Sequence, residues 1–119
     1  KEGRIVLCDR FYDSTTAYQG FGRGLDRRLI DKLNKLASGN IVPDLTFVFD
    51  VDYQTSLKRR GINHDRLERE KKAFFNRVRK GFKVLGKQRR VRLLDGRRAI
   101  DDLAEEVGKI VITLIKRHR

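Results

Sequence analysis

The sequence predicts an α/β fold in which a parallel sheet carries helices on its faces. Three short apolar runs, each typical of a buried strand, contain or directly precede an aspartate: residues 5–8, 45–51 and 91–95. Longer stretches with apolar residues at helical spacing lie between and after these runs. Strands and helices that alternate along one chain indicate a sheet whose strands run parallel.

The first predicted strand, residues 5–8, is a continuous apolar run that includes Cys8, the single cysteine of the chain. We expect Cys8 to be buried in that strand, and one cysteine cannot form an intramolecular disulfide. The next element is a helix, because Leu, Ile and Ala recur at helical spacing over residues 29–37. Asp26 can cap its start and Gly39 can end it in the left-handed conformation, so we expect a crossover helix to the second strand.

Two more helices are predicted in the second half of the chain, on either side of the third strand. The first extends from Arg66 to about Leu85, and its apolar face contains Phe74, Phe75, Val78, Phe82 and Leu85. The last helix has an apolar face from Ile100 to Ile115. Its acids fall early and its bases fall late, as the helix dipole favours.

Composition limits the class of protein. With 119 residues and 39% hydrophobic content, we expect residues 1–119 to form one domain with a modest core. The net charge of +13 indicates attraction to polyanions such as nucleotides, nucleic acid or an acidic partner. No apolar stretch is long enough to span a membrane and no export signal is visible, so we expect a soluble, cytoplasmic protein.

Asp9 and Arg10 follow the first predicted strand, and in parallel sheets ligands bind at the carboxyl ends of strands. In phosphoryl transfer, a carboxylate in this position can order Mg²⁺ or the acceptor, and a guanidinium can bind phosphate oxygens through two hydrogen bonds. A structural ion pair at a strand end explains the same two residues equally well.

The residues that follow Asp9 and Arg10 have side chains that can recognise a nucleobase. Ser14, Thr15, Tyr18 and Gln19 would share one side of a short helix and supply hydroxyls, a flat ring and an amide. The alternative is a polar helix start capped by Asp13, with Tyr18 half-buried, and composition alone favours that alternative.

Taken together, several segments resemble bacterial thymidylate kinases, and the resemblance covers nearly the whole chain. The segments are, in chain order, residues 9–11 (DRF), 14–15 (ST), 17–24 (AYQGFGRG), 43–46 (PDLT), 57–61 (LKRRG), 65–68 (DRLE) and 94–96 (LDG). The resemblance implies a P-loop-kinase-like parallel sheet with flanking helices. It also implies Mg²⁺-assisted phosphorylation of dTMP to dTDP with ATP as the phosphoryl donor.

The resemblance also implies roles for individual residues. Asp9 is similar to the catalytic carboxylate near Mg²⁺, which it contacts through water, and Arg10 is similar to the catalytic arginine that holds the acceptor phosphate. The residues that resemble the substrate-binding group are Arg10, Phe11, Ser14, Thr15, Tyr18 and Gln19. Residues 58–70 resemble the lid, a loop that closes over the phosphates. Arg59, Arg60 and Arg66 fall in this region, and the resemblance makes Arg60 and Arg66 the catalytic candidates.

One part of the family pattern is missing from these residues. No G-x-x-x-x-G-K-[ST] loop, which binds the donor phosphates, occurs among them. By the family's strand order, its strand would lie between the first two predicted strands, and its removal would leave them roughly 10 Å apart instead of the usual 4.8 Å or so. We therefore expect the isolated chain to be inactive. We also expect a homodimer, or assembly with the missing N-terminal half.

Two other functions fit the composition. A basic nucleic-acid-binding module would use clusters such as residues 58–60, 87–90 and 97–98, but the aromatic residues lie at core spacing and do not alternate with these bases, so we expect no nucleic-acid partner. A non-catalytic half whose role is structural or in assembly is the second alternative. His64 and His118 are far apart in sequence, so we expect no metal site there.

Overall fold

The computed structural model describes residues 3–61 and 68–118, and it contains two strands, five α-helices and one π-helix in that part of the chain. In chain order the elements are α1 (Tyr12–Thr15), the π-helix (Thr16–Gly22), α2 (Arg27–Ser38), β1 (Thr46–Asp50), α3 (Tyr53–Arg60), α4 (Glu68–Leu85), β2 (Val91–Asp95) and α5 (Ile100–Arg117). Within the described ranges, no helix is both long enough and apolar enough to cross a membrane.

The strands β1 and β2 form a parallel pair, as the sequence predicts. Their register places Thr46 opposite Val91 at one end and Asp50 opposite Asp95 at the other. The chain passes from β1 to β2 through α3 and α4, the helical crossover that parallel strands require. Two aspartates therefore lie side by side at the carboxyl end of the sheet.

The predicted strand at residues 5–8 is wrong. This segment has no regular structure in the part of the chain that is described, and Val6 and Leu7 are 84% and 87% exposed. Cys8 is exposed as well, so its predicted burial is also wrong. A strand needs a hydrogen-bonded neighbour, and the two described strands pair only with each other. As a result, α2 does not connect two strands of this sheet.

The helix predicted before β1 is confirmed in α2. The Asp26 side chain accepts a hydrogen bond from the backbone N–H of Arg28 at 3.0 Å, and Gly39 ends the helix with φ of 62°. The other two predicted helices are confirmed as α4 and α5, and α5 carries Asp101 and Asp102 in its first turn and Lys116 and Arg117 in its last. Helix α3 was not predicted from the sequence.

The core lies between the π-helix and α4. Ala17, Val78 and Leu85 are buried there, and the rings of Tyr18, Phe74 and Phe82 pack around them. Two glycines let these helices approach closely. A Cβ on Gly22 would lie 2.7 Å from Phe74, and a Cβ on Gly81 would lie 2.7 Å from Phe21. Each helix therefore accepts an aromatic ring of the other at a glycine.

Candidate functional site

Arg10 lies at the entrance to α1 with an unusual backbone. Its φ is 62°, in the left-handed region that residues other than glycine rarely adopt. Its guanidinium carbon lies 5.6 Å from the centroid of the Tyr18 ring, within the range of a cation–π contact. Asp9 and Arg10 are both exposed, and no ion pair between them is part of the described structure. Both groups therefore face solvent.

The short helix expected after Arg10 is present, as α1 followed by the π-helix. Ser14 and Gln19 are half-buried and Thr15 is exposed. The π-helix contains Tyr18 and Gln19, and π-helical turns occur often at functional sites. The Phe11 ring lies 4.8 Å from that of Tyr12, and Phe11 occupies the N-cap without a side-chain capping bond. The six predicted substrate-binding residues therefore follow one another along a single continuous helical segment and its entrance.

Tyr18 is half-buried, as the structural alternative predicted. Its ring centroid lies 6.1 Å from that of Phe74 and 6.3 Å from that of Phe82, so it forms part of the core. The Arg10 guanidinium also lies over this ring. That alternative is wrong about Asp13, however, because its carboxylate does not cap α1. It is buried and paired with Arg90.

The predicted lid is only partly described. Residues 58–60 form the last turn of α3, Gly61 ends that helix with φ of 67°, and α4 begins at residue 68. Arg66 and residues 62–67 as a whole lie outside the described residues. Arg59 donates a hydrogen bond to the carbonyl oxygen of Gly96 at 2.6 Å. The Nε of Arg60 donates to the carbonyl oxygen of Ser56, one turn earlier in its own helix, at 3.4 Å.

A second group of charged residues lies at the carboxyl ends of β1 and β2. Arg79 of α4 donates two hydrogen bonds to the carboxylate of Asp50, at 2.8 and 3.0 Å. Arg97 binds Asp95 in the same two-bonded way, at 3.0 Å for each bond, and its backbone N–H also donates to Asp95. These four residues line an open cleft of about 290 Å³. Both aspartates were expected at strand ends from the sequence, but their arginine partners were not.

Hydrogen bonds shift the pKa values of several charged groups in and near this cleft. The Arg97 side chain, aided by its backbone N–H, lowers the pKa of Asp95 to about 2. The Asp50 carboxylate raises the pKa of Arg79, and the Thr55 hydroxyl lowers the pKa of Asp52, to which it donates a hydrogen bond. Both carboxylates of the cleft are held by arginines, so the cleft contains matched charges of both signs.

Comparison with known proteins identifies the family of this chain. The profile of the family described as "Thymidylate kinase" matches residues 1–107. The chain belongs to the thymidylate kinase family. The family resemblance and the P-loop-kinase-like α/β fold expected from the sequence are thereby confirmed.

Individual members of the thymidylate kinase family agree with this match. The chain is 46% identical to a thymidylate kinase of Gloeobacter violaceus over 115 residues, which cover 92% of the chain and 54% of that relative. It is 38% identical to a thymidylate kinase of Kosmotoga olearia over 121 residues, which cover 98% of the chain and 58% of that relative. The chain therefore spans about half the length of the curated relatives it matches.

A solved structure supports the fold of this chain. The crystal structure of thymidylate kinase from Ehrlichia chaffeensis matches it with a TM-score of 0.64 and 36% sequence identity. The match covers 93% of the chain and 50% of the crystallised protein.

The positions of the potential metal ligands show how this chain could hold Mg²⁺. Among residues 3–61 and 68–118, no three His, Cys, Asp or Glu side chains are grouped so as to hold a metal ion. Mg²⁺ often keeps several waters and binds through one or two carboxylates together with substrate phosphates. A single exposed carboxylate such as Asp9 fits that mode of binding.

Proposed function

We propose that this chain carries the acceptor-binding half of a dTMP kinase. In the reaction, a phosphate oxygen of dTMP attacks the γ-phosphorus of ATP, and the bond between that phosphorus and the ADP oxygen breaks. The observation that carries the proposal is the placement of Arg10, whose exposed guanidinium lies over Tyr18 at the start of the helical segment. Membership of the thymidylate kinase family supports it.

The residues near α1 would act mainly by positioning the acceptor. Arg10 would bind the acceptor phosphate through two of its N–H groups, while Gln19, with Phe11, Ser14, Thr15 and Tyr18, would bind the nucleoside. Positioning and charge stabilisation supply most of the catalysis in phosphoryl transfer. Asp9 would hold Mg²⁺ through water, and the metal would neutralise charge on the phosphates.

Arginines of the lid would complete the site. Arg59, Arg60 and Arg66 would approach the phosphates when the lid closes and excludes water, with Arg60 or Arg66 taking the catalytic part. In the described structure Arg59 binds Gly96 at the end of β2, beside the charged cleft. That contact supports a site in which the lid arginines and the carboxyl end of the sheet lie close together.

We further propose a cytoplasmic enzyme that works as a homodimer or together with a polypeptide segment that corresponds to the rest of the family's fold. Exposed apolar side chains support assembly with another polypeptide segment. On α2, Leu29, Leu33 and Leu36 are 54%, 53% and 81% exposed. Apolar side chains at this spacing form one stripe along the helix, and a stripe of this kind is typical of a surface that packs against another segment.

A substitution at Arg10 tests the proposed function. The chain is joined to the part of the Gloeobacter violaceus thymidylate kinase that it does not match, and the product is called the joined kinase below. Arg10→Ala in the joined kinase should lower kcat for dTMP by at least roughly 100-fold, as loss of one charge-stabilising donor does. ATP binding should change little.

The matched control is Arg27→Ala. Arg27 is also exposed and lies over an aromatic ring, with its guanidinium carbon 5.2 Å from the centroid of Phe21, but it belongs to α2. Its substitution should leave kcat nearly unchanged. A coupled assay of ADP formation measures both variants, and wild-type turnover in Arg10→Ala would contradict the proposal.

A further inference from the structure

The one strongly buried ion pair among the described residues joins Asp13 to Arg90. Arg90 donates to both carboxylate oxygens of Asp13, at 2.8 Å each. Only 9% of the Asp13 side chain and 14% of the Arg90 side chain are exposed. The Asp13 carboxylate also raises the pKa of Arg90 through its hydrogen bonds to the guanidinium. Removing one partner would leave a buried charge without compensation.

Arg90 connects helix α1 to the sheet. It directly precedes β2, and its carbonyl oxygen accepts a hydrogen bond from the backbone N–H of Thr46, the first residue of β1, at 2.8 Å. Its Nη1 also donates to the Thr46 hydroxyl at 3.0 Å, and its guanidinium carbon lies 5.6 Å from the centroid of the Tyr12 ring. One side chain therefore links the start of both strands to α1.

A second buried contact holds the same segment from α2. The Asn34 amide donates to the Thr16 hydroxyl at 3.0 Å and to the carbonyl oxygen of Tyr12 at 3.5 Å. Asn34 and Thr16 are 9% and 3% exposed. The segment is thus anchored at Asp13 to the sheet and at Thr16 to α2.

The two anchors enclose the residues expected to bind substrate. Asp13 and Thr16 are three positions apart, so they share one face of the helical segment and point inward. Ser14 and Thr15 lie between them, with Thr15 exposed and Ser14 half-buried. Arg10 lies three positions before Asp13. A shift of the Asp13 anchor would therefore move the residues on both sides of it.

We propose that Asp13 and Arg90 form a positioning pair, which fixes the segment from Arg10 to Gln19 against the sheet so that it binds a pyrimidine nucleoside monophosphate. This inference rests on the proposed function. A buried ion pair adds little net stability compared with well-packed apolar residues, so its main contribution is to fix one arrangement. Both side chains of the pair are largely buried, so the pair acts through the residues it holds.

The test is Arg90→Lys in the joined kinase. Lysine keeps the charge but cannot make the two parallel hydrogen bonds to Asp13. We expect the KM for dTMP to rise on the order of 10-fold or more, since a displacement of about 1 Å can cost on the order of 100-fold. The KM for ATP should change less than about twofold. The control Arg98→Lys alters the exposed pair with Glu106 and should change neither KM.

Equal changes in both KM values, or no change in either, would overturn the proposal. If Arg90→Lys does not fold, the double variant Asp13→Asn with Arg90→Gln leaves no unpaired buried charge, and the same difference between the two KM values is expected of it.

Hydrogen exchange separates this proposal from the proposed function. If the wild-type joined kinase does not phosphorylate dTMP, the proposed function has failed, and the pair is then tested by exchange of backbone amides in the 119-residue chain. In the Arg90→Lys variant, the backbone amides of residues 12–19 should exchange at least about 10-fold faster than in the wild type, while the exchange rates of amides in α5 should stay unchanged. Unchanged exchange over residues 12–19 would show that the pair positions nothing.

Discussion

Arg10 combines an exposed charge with a left-handed backbone. Its φ of 62° carries a cost of about 1–3 kcal/mol that the surrounding structure must offset. In this conformation the guanidinium lies over the Tyr18 ring. Backbone strain of this kind occurs often at binding and catalytic sites, which agrees with the proposed role of Arg10 in holding the acceptor phosphate. The strain was not visible in the sequence, because arginine gives no signal for positive φ.

Asp95 gives a prediction about pH at the residue scale. Its pKa of about 2 lies below the ordinary value of 3.8 because Arg97 binds the ionised form. The folded state therefore favours the carboxylate more than the unfolded state does. The stabilisation that results is fully present above pH 3.8 and is lost as the pH falls towards 2.

Arg97→Ala should return the pKa of Asp95 towards 3.8. An NMR titration of the Asp95 carboxyl carbon measures it. The control Lys109→Ala removes an exposed lysine that pairs with Glu105 on α5, and it should leave the Asp95 titration unchanged. An unshifted pKa in Arg97→Ala would show that another group holds the carboxylate.

At the scale of elements, the close packing of the π-helix on α4 depends on glycine. A Cβ on Gly81 would meet three atoms of Phe21 at 2.7 to 2.9 Å, so Gly81→Ala should force the ring or the helices apart. Over-packing of this kind costs roughly 1–3 kcal/mol of the free energy of unfolding. Urea denaturation of the variant measures the loss.

Gly108 is the matched control for Gly81. It also lies within a helix, but a Cβ there would have no neighbour within 4 Å. Gly108→Ala should raise the free energy of unfolding by roughly 0.5–1 kcal/mol, because alanine restricts the unfolded chain and favours the helix. Destabilisation by both substitutions would mean that glycine flexibility, and not the contact with Phe21, sets the cost.

The elements show what could be predicted from sequence. Local signals were sufficient for α2, since Asp26 and Gly39 mark its two ends, and for β1 and β2, whose apolar runs end on aspartates. They were misleading at residues 5–8, where the same apolar pattern has no neighbouring strand. Burial in a sheet depends on partners, and a short apolar run does not reveal whether a partner is present.

The candidate site, too, could be predicted from the sequence only in part. The segment from Arg10 to Gln19 could be identified because its motifs are contiguous in the sequence. The pair of Asp13 and Arg90 could not, since 77 positions separate the partners and no local pattern joins them. The pairing of Arg79 with Asp50 could not be predicted for the same reason, and Arg79 is one of many basic residues in α4. The roles of the predicted site residues stay predictions.

The whole molecule has an open shape. Its radius of gyration is 16.2 Å, against about 13.5 Å for a compact domain of this length. Large apolar side chains face solvent on several elements, including Val6, Leu7, Leu36 and Ile100, each more than 80% exposed. Surfaces of this kind pack against further polypeptide in stable proteins. The described residues therefore leave several apolar surfaces available for such packing.

This open shape leads to a prediction about the 119-residue polypeptide tested by itself. We expect it to transfer no phosphoryl group, because its residues include no glycine-rich loop with a lysine to hold the donor phosphates in line with the acceptor. The net charge of +13 should still attract nucleotides. That binding should be weak and should fall with added salt, since charges at a surface are screened over about 8 Å at physiological ionic strength.

The measurement is a coupled assay of ADP formation with ATP, Mg²⁺ and dTMP, first on the 119-residue polypeptide alone. The assay is then repeated after addition of the part of the Gloeobacter violaceus thymidylate kinase that the chain does not match. Turnover should appear only after the addition, because the family pattern implies a phosphate-binding loop in the added part, which would also cover the exposed apolar side chains. The matched control is the same addition with the loop lysine changed to alanine, which should restore packing but not turnover. Robust turnover by the short polypeptide alone would require a donor site built from the basic residues described here, and would contradict the prediction.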